Sequence, residues 1–177
     1  MITITEGLAE VKTIGARIAK RQEAVGRYLA RDARMRDPLE AEGGSVEFVR
    51  RERQAIMDLG QRLVAIRTAI QRANLTTTLT VGNRTDTVSA WLNWRREVSA
   101  GQRAFLNQLA GTFTQARAQA GKQGARVATD AADAKPGDII VALSEVDLAR
   151  EIEEIETVLG ELDGKLSLLN ATTTIDV

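Results

Sequence analysis

The sequence predicts a mainly α protein: an up-and-down four-helix bundle of long heptad-patterned helices, with a small Thr-rich β-sheet or hairpin at one end. Three observations carry this reading. Apolar residues recur in alternating steps of three and four along four segments, which places them on one face of a helix. Hydrophobic residues make up 44% of the chain but aromatics only 3%, so the core is built from Leu, Ile, Val and Ala, which suits helix-on-helix packing. Finally, "NLTTTLTV" (74–81) is echoed by "NATTTIDV" (170–177). Both stretches hold β-branched residues that favour strands over helices.

A length of 177 residues fits a single helical-bundle domain over 1–177. The first helix is expected at about 6–37. Leu8, Val11, Ile18, Val25 and Leu29 form its stripe, Gly15 and Gln22 fill the register, and Pro38 with "EGG" (42–44) stops it. The second, about 45–73, carries Ile56, Leu59, Leu63, Ile66, Ile70 and Ala73, with Ser45 as its cap and Glu47 and Glu52 near its positive end. In the third, about 87–120, Leu92, Leu106, Phe113 and Ala120 share one seven-residue track, and Trp91, Val98 and Phe105 its neighbour. The fourth, about 144–170, opens on a capping pair, Ser144 and Asp147, and runs through Ile152, Ile155, Leu159, Leu162, Leu166 and Leu169. The Ala/Gly-rich stretch at about 121–138 reads as a linker, and "DIIVAL" after it as a possible short strand.

Short connections make successive helices antiparallel, so "ITIT" (2–5), "TTTLTV" and "TTTIDV" fall at one end. Gly82-Asn83 lies between two β-like runs and signals a hairpin. The tail is expected to pair beside "TTTLTV", in the same chain or in a neighbouring copy, in parallel if within one chain, and to cover its edge. A duplicated helix–strand unit would account for the same echo.

Formal charge is balanced, 24 basic against 24 acidic residues, but not evenly spread. Residues 1–75 hold 14 basic and 10 acidic, residues 76–135 hold 8 and 4, and residues 136–177 hold 2 and 10. An acidic last helix beside a basic remainder points to pairing within the chain or between subunits. Overall balance removes the counterion-release drive of a basic nucleic-acid-binding domain, so direct nucleic-acid binding is not expected.

Neither His nor Cys occurs, which removes the Ser-His dyad, thiolate nucleophiles and the commonest zinc ligands. Glu151, Glu153, Glu154 and Glu156 lack the Glu-x-x-His partners of a di-metal bundle, since Ile152 and Ile155 hold the inward stripe. "GKQG" (121–124) lacks the spacing of a phosphate loop. No catalytic residue, cofactor or metal site is expected, and the chain is read as a non-enzyme. There is no run of apolar residues long enough to span a bilayer and no signal-peptide pattern at the start, which leads to an expectation of cytoplasmic synthesis.

The run "IRTAIQRANLTTTLTVGNRTDTVSAWLNWRREV" (66–98) resembles the septicolysin-like family of small helical bacterial proteins. The matching positions are Asn74, Thr76, Gly82, Thr87 and Arg95: a helix ending in an Asn/Thr-rich strand, a Gly turn, a Thr-capped helix start and a basic residue two turns on. The pair Trp91 and Trp94 departs from that pattern. The resemblance implies a stand-alone helical binding module, and it transfers no catalytic residues.

Candidate interface residues are Phe48, Arg50 and Arg51, and Trp91, Trp94 and Arg95, where aromatics sit beside arginines. To these are added the strand threonines Thr76, Thr78, Thr172 and Thr174, which could extend a sheet into a neighbour. Gly15, Gly26, Gly60, Gly101, Gly160 and Gly164 each cost about 1 kcal/mol inside a helix and suggest close helix approach, within the chain or between copies. The sequence reading is therefore a structural assembly protein of a larger particle, a tailed-phage virion component such as a capsid-stabilising, connector or adaptor protein. Its partners would be copies of itself and other structural proteins.

Overall fold

The computed structural model describes Met1–Val177. The protein is mainly α. It divides into two compact units, Met1–Thr77 with Ser167–Val177, and Thr78–Leu166.

The first unit is an antiparallel pair of helices, α1 (Ile4–Tyr28) and α2 (Gly44–Thr76). A two-residue strand β1 (Ile2–Thr3) precedes α1. The Thr3 hydroxyl accepts from the Glu6 N–H at 3.2 Å, and the Glu6 carboxylate accepts from the Thr3 N–H at 2.7 Å, a reciprocal capping box that fixes where α1 begins. The core gathers Ile4, Ile14, Ile66, Ile70 and Ile175, with Val11, Ile18, Leu59, Leu63 and Leu169 packed around it. Glu10–Arg62 at 2.8 Å and Arg21–Glu52 at 2.5 Å cross between the helices.

The seam of α1 differs from the expected stripe. It runs through Ile4, Gly7, Val11, Ile14 and Ile18, whereas Leu8, Gly15, Gln22 and Leu29 face outward. The two stripes share Val11, Ile18 and Val25, so periodicity alone does not separate them. Gly7 decides, because its missing side chain is the space that Ile175 fills. The helix also ends at Tyr28 rather than near Asp37. Beyond Tyr28 the seam would meet Asp32, which gives the helix nothing to bury. The loop that follows is organised by Asp37, whose carboxylate accepts from the Ser45 N–H (2.9 Å), the Ser45 hydroxyl (2.6 Å) and the Leu39 N–H (2.9 Å).

The second unit opens with a hairpin, β2 (Thr78–Val81) against β3 (Arg84–Thr87), antiparallel, with Val81 opposite Arg84 and Thr78 opposite Thr87. Gly82 takes φ +56° at the turn, a conformation that favours glycine. One continuous helix follows: α3 (Val88–Asn93), a π-helical stretch over Trp94–Ser99, then α4 (Ala100–Gln123). The extra residue of the π stretch rotates the buried face. Trp91 is buried before it, Ser99 at its end, and Leu106 and Ala120 after it, while Val98 and Phe105 are exposed. The two neighbouring tracks of the sequence are thus used in succession on one helix.

The helix α5 (Glu145–Thr172) runs antiparallel to α4 within this unit. Arg95 of the π stretch pairs with Asp163 (2.9 Å), and Arg103–Glu156 (2.7 Å) and Arg117–Glu145 link α4 to α5. The acidic helix is matched here to basic residues of the chain's own third helix. The stretch around 121–138 folds back on itself. β4 (Val127–Ala128) pairs in parallel with β5 (Ile139–Ile140), and the Asp138 carboxylate accepts from the Lys135 N–H, the Arg126 N–H and the Arg126 guanidinium, at 2.9, 3.1 and 2.9 Å.

The tail corrects the expected strand pairing. After α5, β6 (Thr174–Ile175) pairs antiparallel with β1, Ile2 opposite Ile175 and Thr3 opposite Thr174. It does not pair with "TTTLTV". One side of β2 is taken by β3, joined through a turn so short that closing it costs little chain entropy. Its Leu79 and Thr80 carbonyls accept from Trp91 Nε1 (2.9 Å) and Lys165 Nζ (2.5 Å). No long β2 edge is left for the tail.

Candidate interaction surfaces

The echoed threonines perform one local task twice. The hydroxyls of Thr76 and Thr172 donate to carbonyls four residues back, Arg72 at 3.1 Å and Leu168 at 2.9 Å. The next residues, Thr77 and Thr173, donate their N–H to Ala73 and Leu169, at 2.9 and 2.8 Å. The repeat is a helix-ending device, after which the chains diverge, one into β2 and the other into β6. Within the first unit the two ends lie side by side, lining a cleft of about 380 Å³ with Ala69, Thr76, Thr173 and Ile175. Thr78 and Thr174 are exposed on their short strands.

The two aromatic–arginine groups are placed very differently. Phe48 meets Tyr28 edge to face at 5.2 Å, where it closes the far end of the α1–α2 seam, and the Arg51 guanidinium lies 5.8 Å from its ring. Arg50 turns instead to Glu47, at 2.7 Å, and the pair holds the Glu47 carboxyl below its usual range. Phe48 also borders an open cleft of about 700 Å³ with Arg17, Lys20, Glu52 and Asp58.

In the second unit Trp91 is only 2% exposed and is a core residue rather than an interface anchor. Its Nε1–H donates to the Leu79 carbonyl, the Arg84 guanidinium stands 4.9 Å over its ring, and Trp94 meets it edge to face at 5.6 Å. Trp91 therefore fixes the hairpin on the helix. Trp94 is half-buried, and the exposed Arg95 is paired with Asp163.

The acidic residues do not converge. No group of three or more Asp, Glu, His or Cys side chains is placed to hold a metal ion. Glu161 accepts from Lys165 (2.6 Å) and from the Gly82 N–H (3.0 Å), which together hold its carboxyl below the ordinary range. Glu10 is lowered in the same direction by Arg62. These carboxylates are structural ion-pair partners. No helix is long and apolar enough to cross a membrane.

Compared with known proteins, the chain matches no family model, no curated protein and no solved structure.

Large apolar side chains stand exposed, among them Leu8, Leu29, Val46, Met57, Val64 and Phe105.

On the α1–α2 pair this surface has a side. In antiparallel helices, the residues one position after each seam residue turn to the same side of both. There stand Leu8, Lys12, Val46, Arg53, Met57, Val64 and Arg67, and at the Val46–Arg53 end the loop residue Asp37 lines the same cleft. The residues one position before the seam occupy the opposite side, with the Glu10–Arg62 pair and the Phe48 cleft. The helical glycines Gly15, Gly26 and Gly60 lie on the first of these sides with open space beyond them. The same is true of Gly101, Gly160 and Gly164 in the second unit, so none of the six marks a close approach within the chain. Gly7 does, and sequence reasoning missed it together with Ile4, Ile14 and Val81. The available signal was the capping box of Thr3 and Glu6, which starts the seam at Ile4.

Proposed function

We propose that the protein is a non-enzymatic assembly component, a helical subunit used in several copies within a larger particle, with a tailed-phage virion as its setting. The observation that carries this reading is the exposed apolar surface: large aliphatic side chains such as Leu8, Met57 and Val64 stand in solvent along helices whose seams are already filled. Exposed apolar faces of this kind mark interaction sites. The absence of His and Cys from the sequence is in keeping with a structural role, as is the spending of buried and half-buried polar groups on caps, turns and ion pairs. Mass spectrometry of intact particles from the source tests the setting. Recovery of the chain in fixed stoichiometry with capsid or tail proteins is expected. Its recovery only as free protein would favour a stand-alone helical module.

A further inference from the structure

We infer that the continuous helix from Val88 to Gln123 is a two-position switch: the extra residue of its π turn moves between Trp94–Ser99 and 106–111, and Val98 and Phe105 pass from exposed to buried as it does. The inference goes beyond the assembly reading and does not rest on it.

Two tracks of the sequence compete for one face. Steps of seven from Trp91 lead to Val98 and Phe105, and steps of seven from Ser99 lead to Leu106, Phe113 and Ala120. A π turn takes up one residue more than an α turn, so the buried face passes from the first track to the second wherever that turn stands. It stands at Trp94–Ser99, ahead of both apolar residues of the first track. The seam position after Trp91 therefore goes to Ser99, 2% exposed, while Val98 is 43% and Phe105 58% exposed. A serine is inside and two large apolar side chains are outside. Ser99 spends its hydroxyl on the Arg95 carbonyl of its own helix, at 2.7 Å, so it makes no bond to α5 that would hold it there. With the π turn at 106–111 the same face would read Trp91, Val98, Phe105, Phe113 and Ala120, apolar at every step.

The path between the two positions is short. Residues 94–111 contain no proline, and Gly111 stands at the second position, where a residue without Cβ adapts readily. Only the segment between the two positions rotates, by about 100°, the angle of one residue. Trp91 keeps its bond to the Leu79 carbonyl, and Arg117 keeps Glu145. Leu109 and Phe113 are only half-buried, so the seam has room for Phe105 in place of Leu106. The ion pairs within the rotating segment, Arg95–Asp163 and Arg103–Glu156, are half-exposed, and such pairs hold weakly. They favour the first position, and burial of Val98 and Phe105 favours the second. Salt screens exposed pairs and so shifts the balance toward the second.

The test uses the full chain labelled with 4-fluorophenylalanine and read by fluorine NMR. Phe48, Phe105 and Phe113 are the only phenylalanines, and replacing each by Leu assigns its signal. Phe105 is expected in two environments, as separate lines or as relaxation dispersion, with the buried one gaining as salt is raised. Deletion of Arg96 removes the surplus residue and keeps Leu106, Phe113 and Ala120 on the buried face. It should leave a single exposed Phe105 signal at every salt concentration. Val98→Gln changes a side chain that already reaches solvent, so folding is retained, and it should lower the buried population roughly tenfold. A single exposed Phe105 environment in the wild-type chain, at low and high salt alike, overturns the switch. So does a buried population that Val98→Gln leaves unchanged, whether or not the deletion variant folds.

Discussion

Ile175, two residues before Val177, closes over Gly7, the fourth residue of α1. A Cβ built on Gly7 would stand 3.3 Å from Ile175 Cδ1, 3.3 Å from Ile66 Cγ2 and 3.5 Å from Ile70 Cδ1. Both residues are buried. The start of α1 and the strand β6 are thus locked by a knob in a glycine-sized hole. A large side chain at this position must displace the tail. Gly7→Leu is expected to lose about 1–3 kcal/mol of stability, as overpacked cores do, in equilibrium denaturation. Gly7→Ala should be close to neutral, since the roughly 1 kcal/mol gain in helix propensity opposes a contact that is only slightly too short.

Removing the tail tests the corrected strand pairing. The Ile4 N–H donates to the Thr173 carbonyl at 3.0 Å, and β6 pairs with β1. Truncation before Thr173 should speed amide exchange at Ile4 and leave Leu79 and Val81 at their original rates. Faster exchange at Leu79 and Val81, with Ile4 unchanged, would restore the pairing that the sequence echo suggested.

Acid should loosen one loop in each unit. Hydrogen bonds from the Ser45 hydroxyl, the Ser45 N–H and the Leu39 N–H lower the Asp37 carboxyl from 3.8 to about 2. The Lys135 N–H, the Arg126 guanidinium and the Arg126 N–H lower Asp138 likewise to about 2. A carboxyl depressed in the folded state binds its proton more readily when unfolded. Its stabilising contribution is therefore complete above about pH 4 and disappears as pH falls through about 2. Thermal unfolding followed across that window should show Tm falling with acid, and Asp37→Asn should lower Tm at neutral pH while flattening part of that fall.

Trp91 is expected to behave as a hairpin anchor. Trp91→Phe keeps an aromatic ring but removes the donor to the Leu79 carbonyl. A loss of about 1–3 kcal/mol is expected, the cost of a buried polar group left without its partner. A change within error would mean that the ring alone holds β2.

Much of this fold was legible in the sequence because the helices repeat their apolar positions over many turns. Ile66, Ile70, Leu162 and Leu166 could be placed on buried faces from spacing alone, though Leu63 and Leu159, expected to be deep, are only half-buried. Three features were hidden for distinct reasons. Two overlapping stripes in α1 share every second residue, and only the fit of Ile175 to Gly7 separates them. The π stretch moves the buried face from Trp91 to Ser99 without any proline or glycine to announce it. The threonine repeat looks like a pair of strands but serves two helix ends. The interface candidates scattered accordingly: Trp91 went to the core, while Phe48, Arg51 and Trp94 remained partly or fully accessible.

The central claim is that this chain is a subunit rather than a finished particle, and its molar mass in solution tests that most directly. Light scattering coupled to size exclusion, run over rising micromolar concentrations, should give masses that climb to multiples of 19.2 kDa. A mass fixed at 19.2 kDa across the whole range would contradict the account.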